Sequence, residues 1–231
     1  MLINDKTIDW RKEWIVRFDS RHRPDDSAEW DERSVDYSKH AKGGEYSDEF
    51  IAGLDLSGGE TIFDMGSGTG ALALPLAEAG HRIICGDFSK GMCSRLMSKA
   101  TEYGIADKID MHLMAWEDDW AIAGIEPKSA DIAVASRSII VHDLGAAIEK
   151  LESVARKRVA ITVATRFGPK ELHEHGEMLN GLPFLPDYIY AINILMEMER
   201  YPLVSYIDSA KTEADGTSRL KRWAFIRWDL E

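Results

Sequence analysis

Thr61-Ile62-Phe63-Asp64-Met65-Gly66-Ser67-Gly68-Thr69-Gly70 is the stretch that decides the fold. Its first half is a short apolar run of strand character, and its second half places glycine at every other position before a segment with helical apolar spacing, ALALPLAEA at 71–79. Glycines at a strand-to-helix turn let the backbone bend tightly and come close to a ligand. The helix that follows offers free N–H groups and the positive end of its dipole. A small anionic or zwitterionic ligand is expected at this turn.

Outward from the turn the rhythm repeats. Residues 82–86 (RIICG), 109–113 (IDMHL), 131–135 (DIAVA) and 158–164 (RVAITVA) read as buried strands, and 89–103, a segment around 119–125, and 144–155 carry helical spacing. Strands alternating with helices imply right-handed crossovers and a parallel sheet covered on both faces, the doubly wound α/β class. After the fifth strand the pattern changes. The end of the segment 169–200 is apolar almost all round and predicts a buried helix, and 202–209 and 219–228 predict two strands joined through Asp215-Gly216 as an antiparallel pair. The first 50 or so residues are dense in charge and aromatics; Trp10, Trp14, Val16 and Phe18 line one amphipathic helix, and 30–37 a second. The organisation expected is a single domain over 1–231, with a helical cap at 1–55 and a ligand-binding core at 56–231.

Composition narrows the partners. The chain has 231 residues, with 28 Lys and Arg against 40 Asp and Glu, a net charge of −12. That balance disfavours nucleic acid, whose phosphates demand a basic face. The longest apolar stretch, 188–196, falls short of the ~20 residues that cross a bilayer. The start, MLINDKTIDW, has charges at Asp5, Lys6 and Asp9 and no apolar core of a signal peptide. Two cysteines, Cys85 and Cys93, make no disulfide framework. A cytoplasmic protein without membrane association is expected; an oligomer that buries the aromatic N-terminal segment is compatible with these features.

The loop's details select among ligands. The dinucleotide fingerprint is G-x-G-x-x-G, whereas this loop runs G-x-G-x-G with an acid at the strand end, and no Gly-Lys-Ser/Thr follows to hold a nucleotide phosphate. A ligand with an amino group and a sulfonium suits an acid-flanked loop better than one with two phosphates. One unit downstream, Gly86-Asp87-Phe88-Ser89 puts a carboxylate where it accepts hydrogen bonds from ribose hydroxyls, with Ser89 free to cap the next helix.

DMGSGTG at 64–70, GDFSKGM at 86–92, MAWEDD at 114–119 and the terminal antiparallel pair together resemble the class I S-adenosylmethionine-dependent methyltransferases, in the small-molecule branch of the type 11/25 kind. The resemblance runs from about Trp30 to Trp228. It implies a Rossmann-like, doubly wound seven-stranded sheet, mostly parallel, whose antiparallel last strand lies between the fifth and sixth. It also implies S-adenosylmethionine as cofactor, S-adenosylhomocysteine as product and a small-molecule substrate. Asp64, Gly66, Ser67, Gly68, Thr69 and Gly70 would hold the methionyl part and Asp87 the ribose. Phe88 and Met92 would flank the adenine, Ala115, Trp116 and Glu117 would close its other side, and Ser136 would adjoin the cofactor at the fourth strand's end. Tyr37, in WDERSVDY, resembles an aromatic that folds over the cofactor. The chain departs from the family at Trp116, where a small or acidic residue is more common.

Methyl transfer from a sulfonium is an in-line displacement, so orientation in a dry site does most of the work, and a base is needed only for a protonated nucleophile. The end of the fourth strand reads Ala135-Ser136-Arg137-Ser138-Ile139-Ile140-Val141-His142-Asp143. It lacks the Asn/Asp-Pro-Pro-aromatic motif of adenine or glutamine methylation, and neither cysteine sits where a pyrimidine-attacking thiol would. Arg137 is the candidate anchor for an acceptor carboxylate or phosphate, and His142 the candidate general base. His173-Glu174-His175 lacks the i, i+4 spacing of a zinc pair, so no metal is expected. Trp30, Tyr37, Phe184, Tyr188 and Tyr190 are expected to roof the acceptor pocket. The alternatives are methylation of protein or RNA, using the basic cluster Arg11, Lys12, Arg17, Arg21 and Arg23; a non-catalytic module binding S-adenosylmethionine or S-adenosylhomocysteine; and, more distantly, a nicotinamide dehydrogenase.

Overall fold

In the computed structural model the strand β1 (Thr61–Met65) pairs in parallel with β2 (Arg82–Asp87) on one side and β4 (Ala130–Ser136) on the other. The model describes residues 8–21, 26–38, 44–165, 185–212 and 218–230. Beyond β2 lies β3 (Ile109–Leu113), and beyond β4 lies β5 (Ala155–Ala164), both parallel to their neighbours. β7 (Ser218–Asp229) runs antiparallel to β5 and to the edge strand β6 (Leu203–Thr212), giving the order β3-β2-β1-β4-β5-β7-β6. This is the seven-stranded, doubly wound sheet expected from the sequence, with the antiparallel strand between fifth and sixth. Chain direction across the sheet reverses between β1 and β4. In open α/β sheets ligands bind outside the carboxyl ends of strands at such a reversal.

The strands are apolar on both sides because both faces are covered. Phe50 on α3 (Glu45–Gly53), Leu76 on α4 (Ala73–Glu78) and Leu96 on α5 (Lys90–Glu102) cover one face together with Ile62 and Ile83. On the other face, Ile148 and Leu151 of α6 (Leu144–Val154) and Ile194 and Leu195 of α7 (Asp187–Glu197) pack on Phe63, Ala133 and Ile161. Alternation along β1 sends Ile62 to one side and Phe63 to the other, so Asp64 follows Ile62 toward the α4–α5 side.

The N-terminal helices are distributed around the sheet. α1 (Trp10–Arg21) buries Trp14 completely; its indole N–H donates to the Val141 carbonyl at 2.9 Å, and its ring lies 6.0 Å from Tyr190. Arg17, 1% exposed, binds Asp187 at 2.9 Å, and Arg11 binds Asp143 at 2.9 Å. Two members of the basic cluster that a phosphate-tracking surface would need are thus committed within the chain. α2 (Ser27–Ser38) lies instead against α5.

Two segments depart from the sequence expectation. Residues 119–125 form a single turn and not a helix: Asp119 caps the N–H groups of Ala121 and Ile122, and Gly124, at φ +89°, ends it within one turn. β5 starts at Ala155, directly off α6, three residues before the expected start, and its pairing with β4 shifts register between Ala130 and Ile132. The Asp215-Gly216 connection, His173-Glu174-His175 and Phe184 lie outside the described residues. Among the described residues no helix is long and apolar enough to cross a membrane, and no group of three or more His, Cys, Asp or Glu is placed to hold a metal.

Candidate active site

The glycine loop turns as its composition demands. Gly66 has φ +76°, and a Cβ there would stand 2.3 Å from the Cβ of Ser138, so only glycine allows the loop to touch the segment after β4. The N–H groups of Gly66 and Ser67 both donate to the Gly86 carbonyl, at 2.7 and 3.1 Å, which pins the loop to the end of β2. A Cβ on Gly68 would meet nothing within 4 Å, so this glycine faces open space.

Two carboxylates underlie the loop. Asp64 is 2% exposed and its Oδ1 has no hydrogen-bond donor. Burial, and then repulsion from Asp87, push its carboxyl up to about 7. The hydroxyl of Ser67, also buried, lies beside the Cys85 thiol. Asp87, 5% exposed, accepts the Gly68 N–H on Oδ2 at 2.8 Å and the Ser89 N–H on Oδ1 at 2.9 Å. Burial nevertheless holds its carboxyl above the usual range, because it outweighs those two donors. Among the described residues no arginine or lysine is ion-paired with either carboxylate. The arrangement is built for a ligand that brings positive charge and hydrogen-bond donors.

Ser89 caps α5 by accepting the Met92 N–H at 3.1 Å, and its hydroxyl donates to Asp31 Oδ1 at 2.5 Å. The same oxygen accepts the Gly91 N–H at 2.8 Å, and these bonds, led by that of Ser89, hold Asp31 below the usual carboxylate range. A Cβ on Gly91 would come within 3.0 Å of the Asp31 Cα, so α2 sits directly on the start of α5. Phe88, half-buried, and Met92, 3% exposed, flank this cap. Tyr37 belongs to α2, but its side chain lies outside the described set. After β3, the Ala115 N–H donates to Asp118 at 2.8 Å and Glu117 is exposed. Trp116 is turned toward β4: its N–H donates to the Ser138 carbonyl at 2.9 Å and its ring packs 5.5 Å from Trp120.

At the end of β4 the chain is fixed from three sides. Ser138 Oγ donates to the Met65 carbonyl at 2.6 Å. The Tyr46 hydroxyl, from α3, bridges Ser136 Oγ at 2.8 Å and Thr162 Oγ1 at 2.7 Å, and Thr162 also accepts the Arg137 N–H at 3.0 Å. Burial raises the Tyr46 hydroxyl pKa above its ordinary value. Arg137 adopts φ +60°, which costs an L-residue on the order of 1–2 kcal/mol. Its exposed guanidinium lies 4.2 Å from the Tyr46 ring and 5.9 Å from Trp223.

The structure gives other surroundings to several residues singled out from sequence. His142, 56% exposed, has Nε2 at 3.1 Å from Asp19 and its ring 5.6 Å from Phe18, so its described contacts are with α1. Asp143 caps α6 through the Ala146 N–H at 2.9 Å. Tyr190 is 5% exposed in the α1–α7 core and is not available as pocket roof. Trp30 is half-buried under Arg33, and Tyr188 stands edge-on to Tyr206 at 6.2 Å. Sequence reasoning missed Asp31, Tyr46, Ser138, Thr162 and Trp223. Asp31 lies between two aromatics that were weighed, but a single acid in a charge-dense helix carries no signal; the others come from distant strands or a helix that only the fold brings together.

Comparison with known proteins agrees with this geometry. Residues 62–158 match the family described as "Methyltransferase domain". An uncharacterized protein of Haemophilus influenzae is 28% identical over 206 residues, covering 87% of this chain and 74% of that one. Among solved structures, the magnesium protoporphyrin IX methyltransferase of Synechocystis with bound S-adenosylhomocysteine superposes with a TM-score of 0.58 at 16% identity, over 95% of this chain and 94% of that one. The [4+2]-cyclase SpnF gives 0.58 at 16% identity over 79% of each chain. Residues 62–158 thus match a methyltransferase domain, and the seven-stranded sheet that contains them is the fold shared with these solved structures.

Proposed function

We propose that this chain transfers a methyl group from S-adenosylmethionine to a small-molecule acceptor at the carboxyl ends of β1 and β4. The observation that carries the reading is the pair of buried carboxylates, Asp64 and Asp87, beside a glycine loop and without a cationic partner among the described residues. A ligand carrying an ammonium and a sulfonium supplies the missing charge to Asp64, and ribose hydroxyls are donors suited to the oxygens of Asp87. Bound there, S-adenosylmethionine would supply an electrophilic methyl group for an acceptor lone pair, with S-adenosylhomocysteine as the leaving group. The residues that would hold it are Asp64, the loop 66–70, Asp87, Phe88 and Met92, with 115–117 and Ser136 at its margins; Tyr37 is the aromatic that the family resemblance adds.

This chain's own contribution is orientation. Ser138 fixes the loop against β4, the Tyr46 hydroxyl fixes Ser136 against β5, and Arg137 stands at the acceptor side. His142 faces Asp19, so an acceptor that loses a proton would pass it to water or to a group in the pocket. A small acceptor is favoured over protein or RNA because Arg11 and Arg17 of the basic cluster are engaged with Asp143 and Asp187. The fold alone does not decide the chemistry, as the cyclase neighbour illustrates.

Calorimetric titration with S-adenosylmethionine, S-adenosylhomocysteine and NAD tests the cofactor: the first two bind and NAD does not. Binding of NAD alone would overturn the proposal from the glycine loop onward. Incubation of a metabolite extract with isotopically methyl-labelled S-adenosylmethionine, read by mass spectrometry, then identifies the acceptor.

A further inference from the structure

We infer that the acceptor is an anion, a molecule bearing a carboxylate or similar oxyanion that Arg137 holds from an aromatic shelf made by Tyr46 and Trp223. This rests on the methyl-transfer reading and names its substrate class. The first support is the kind of partner Arg137 keeps, where most described arginines keep a carboxylate. Arg11, Arg17, Arg156, Arg158, Arg200 and Arg222 each lie within ion-pair distance of a carboxylate, in a chain of net charge −12. Arg137 has no carboxylate partner among the described residues, although acids outnumber bases by 40 to 28. Its described contacts are instead ring faces, at 4.2 and 5.9 Å. A cation–π contact orients a guanidinium without consuming any of its five N–H donors, so the bidentate fork stays available for an oxyanion.

The second support is placement. Ser138, next in sequence, abuts Gly66, so the guanidinium belongs to the segment that touches the cofactor loop. The Tyr46 hydroxyl feels both charges, with Arg137 drawing its proton off and Asp64 opposing that. The site therefore has a negative side below the loop, suited to the cationic cofactor, and a positive side at Arg137, suited to an anionic acceptor. The third support is that this position is enforced. A left-handed backbone at a non-glycine residue persists only where its surroundings over-determine it, and here the Arg137 N–H is held by Thr162, itself bonded to Tyr46.

A competing source of the same chemistry is the carboxylate of the cofactor's methionyl arm, and the experiment separates the two. Protein saturated with S-adenosylhomocysteine is titrated with benzoate, benzamide and benzylammonium, followed by tryptophan fluorescence and ligand-observed NMR. Benzoate is expected to bind at least ~10-fold more tightly than the other two. Arg137→Met brings benzoate to the level of benzamide and Arg137→Lys falls between, while affinity for S-adenosylhomocysteine changes less than ~3-fold in both. Equal binding of benzoate and benzamide, or no binding of benzoate at tens of millimolar, overturns the inference. So does a ~10-fold loss of S-adenosylhomocysteine affinity in Arg137→Met with benzoate unaffected, which would assign the guanidinium to the cofactor. If the wild-type protein binds no S-adenosylhomocysteine, the methyl-transfer reading fails, and the benzoate titration on the free protein still judges the anion site by the same criterion.

Discussion

Cofactor affinity should rise with pH across the acidic-to-neutral range because of one side chain, Asp64. Burial and the neighbouring Asp87 raise its carboxyl to about 7, so in the free protein it is protonated at pH 5.5 and half ionised at pH 7. The cofactor's ammonium demands the ionised form, and an α-amino group with an ordinary pKa near ~7.7–8 stays charged throughout that window. With a pKa of about 7 the ionised fraction goes from roughly 3% to roughly 50%, so affinity for S-adenosylhomocysteine should increase roughly 15-fold, or about 1.6 kcal/mol. Calorimetry in two buffers of different ionisation enthalpy should also show nearly one proton released per cofactor bound at pH 5.5. Asp64→Asn is the control: it should bind more weakly at pH 7 and lose most of the slope, which also separates this effect from histidine titration. The same variant has an opposite consequence for the free protein. A carboxyl whose pKa is raised on folding contributes its stability below its unfolded value near 3.8 and loses it as pH rises to about 7. Asp64→Asn should therefore raise the Tm of the free protein clearly more at pH 8 than at pH 4.5. A full pH slope retained in Asp64→Asn would refute the assignment of the ammonium to this carboxylate.

Other substitutions probe separate parts of the framework. Asp87→Ala removes the acceptor of the Gly68 and Ser89 N–H groups as well as the predicted ribose contact, and should weaken S-adenosylhomocysteine binding by ~1–3 kcal/mol in calorimetry; unchanged affinity would remove Asp87 from the site. Gly66→Ala combines a φ of +76° with a 2.3 Å approach to Ser138, and should cost at least about 2 kcal/mol in urea denaturation along with cofactor binding. Trp14→Ala empties a fully buried position and orphans the Val141 carbonyl, so a loss of about 3–5 kcal/mol is expected by the same measurement.

The sheet was legible in the sequence because its strands are short, apolar and separated by helix-length segments: β1 and β3 fall on the residues that composition picks out, and the closing pair 203–212 and 218–229 follows from two strand-like runs too close together to be anything but antiparallel. The turn at 119–125 was not, since apolar spacing over so few residues cannot tell one capped turn from a helix. The proposed cofactor half of the site was readable for the same reason as the fold, being contiguous in sequence at 64–70 and 86–92. Of the proposed acceptor half only Arg137 was readable. Its supports come from α3, β5 and β7, and periodicity says nothing about which side chain of one element will reach another across the sheet.

The contact between Gly66 and Ser138 has a wider meaning. The glycine loop proposed to hold the cofactor is bonded to β2 and crowds Leu96 of α5, while the shelf around Arg137 is braced by α3, β5 and β7. Among the described contacts the two halves meet along a narrow seam, where Ser138 bonds the Met65 carbonyl and crowds Gly66. Such a joint lets the far side drift in evolution or be rebuilt in the laboratory. Exchanging the residues around Tyr46 and Trp223 should redirect the protein to differently shaped or oppositely charged acceptors while the methyl donor continues to be recognised by an unaltered loop.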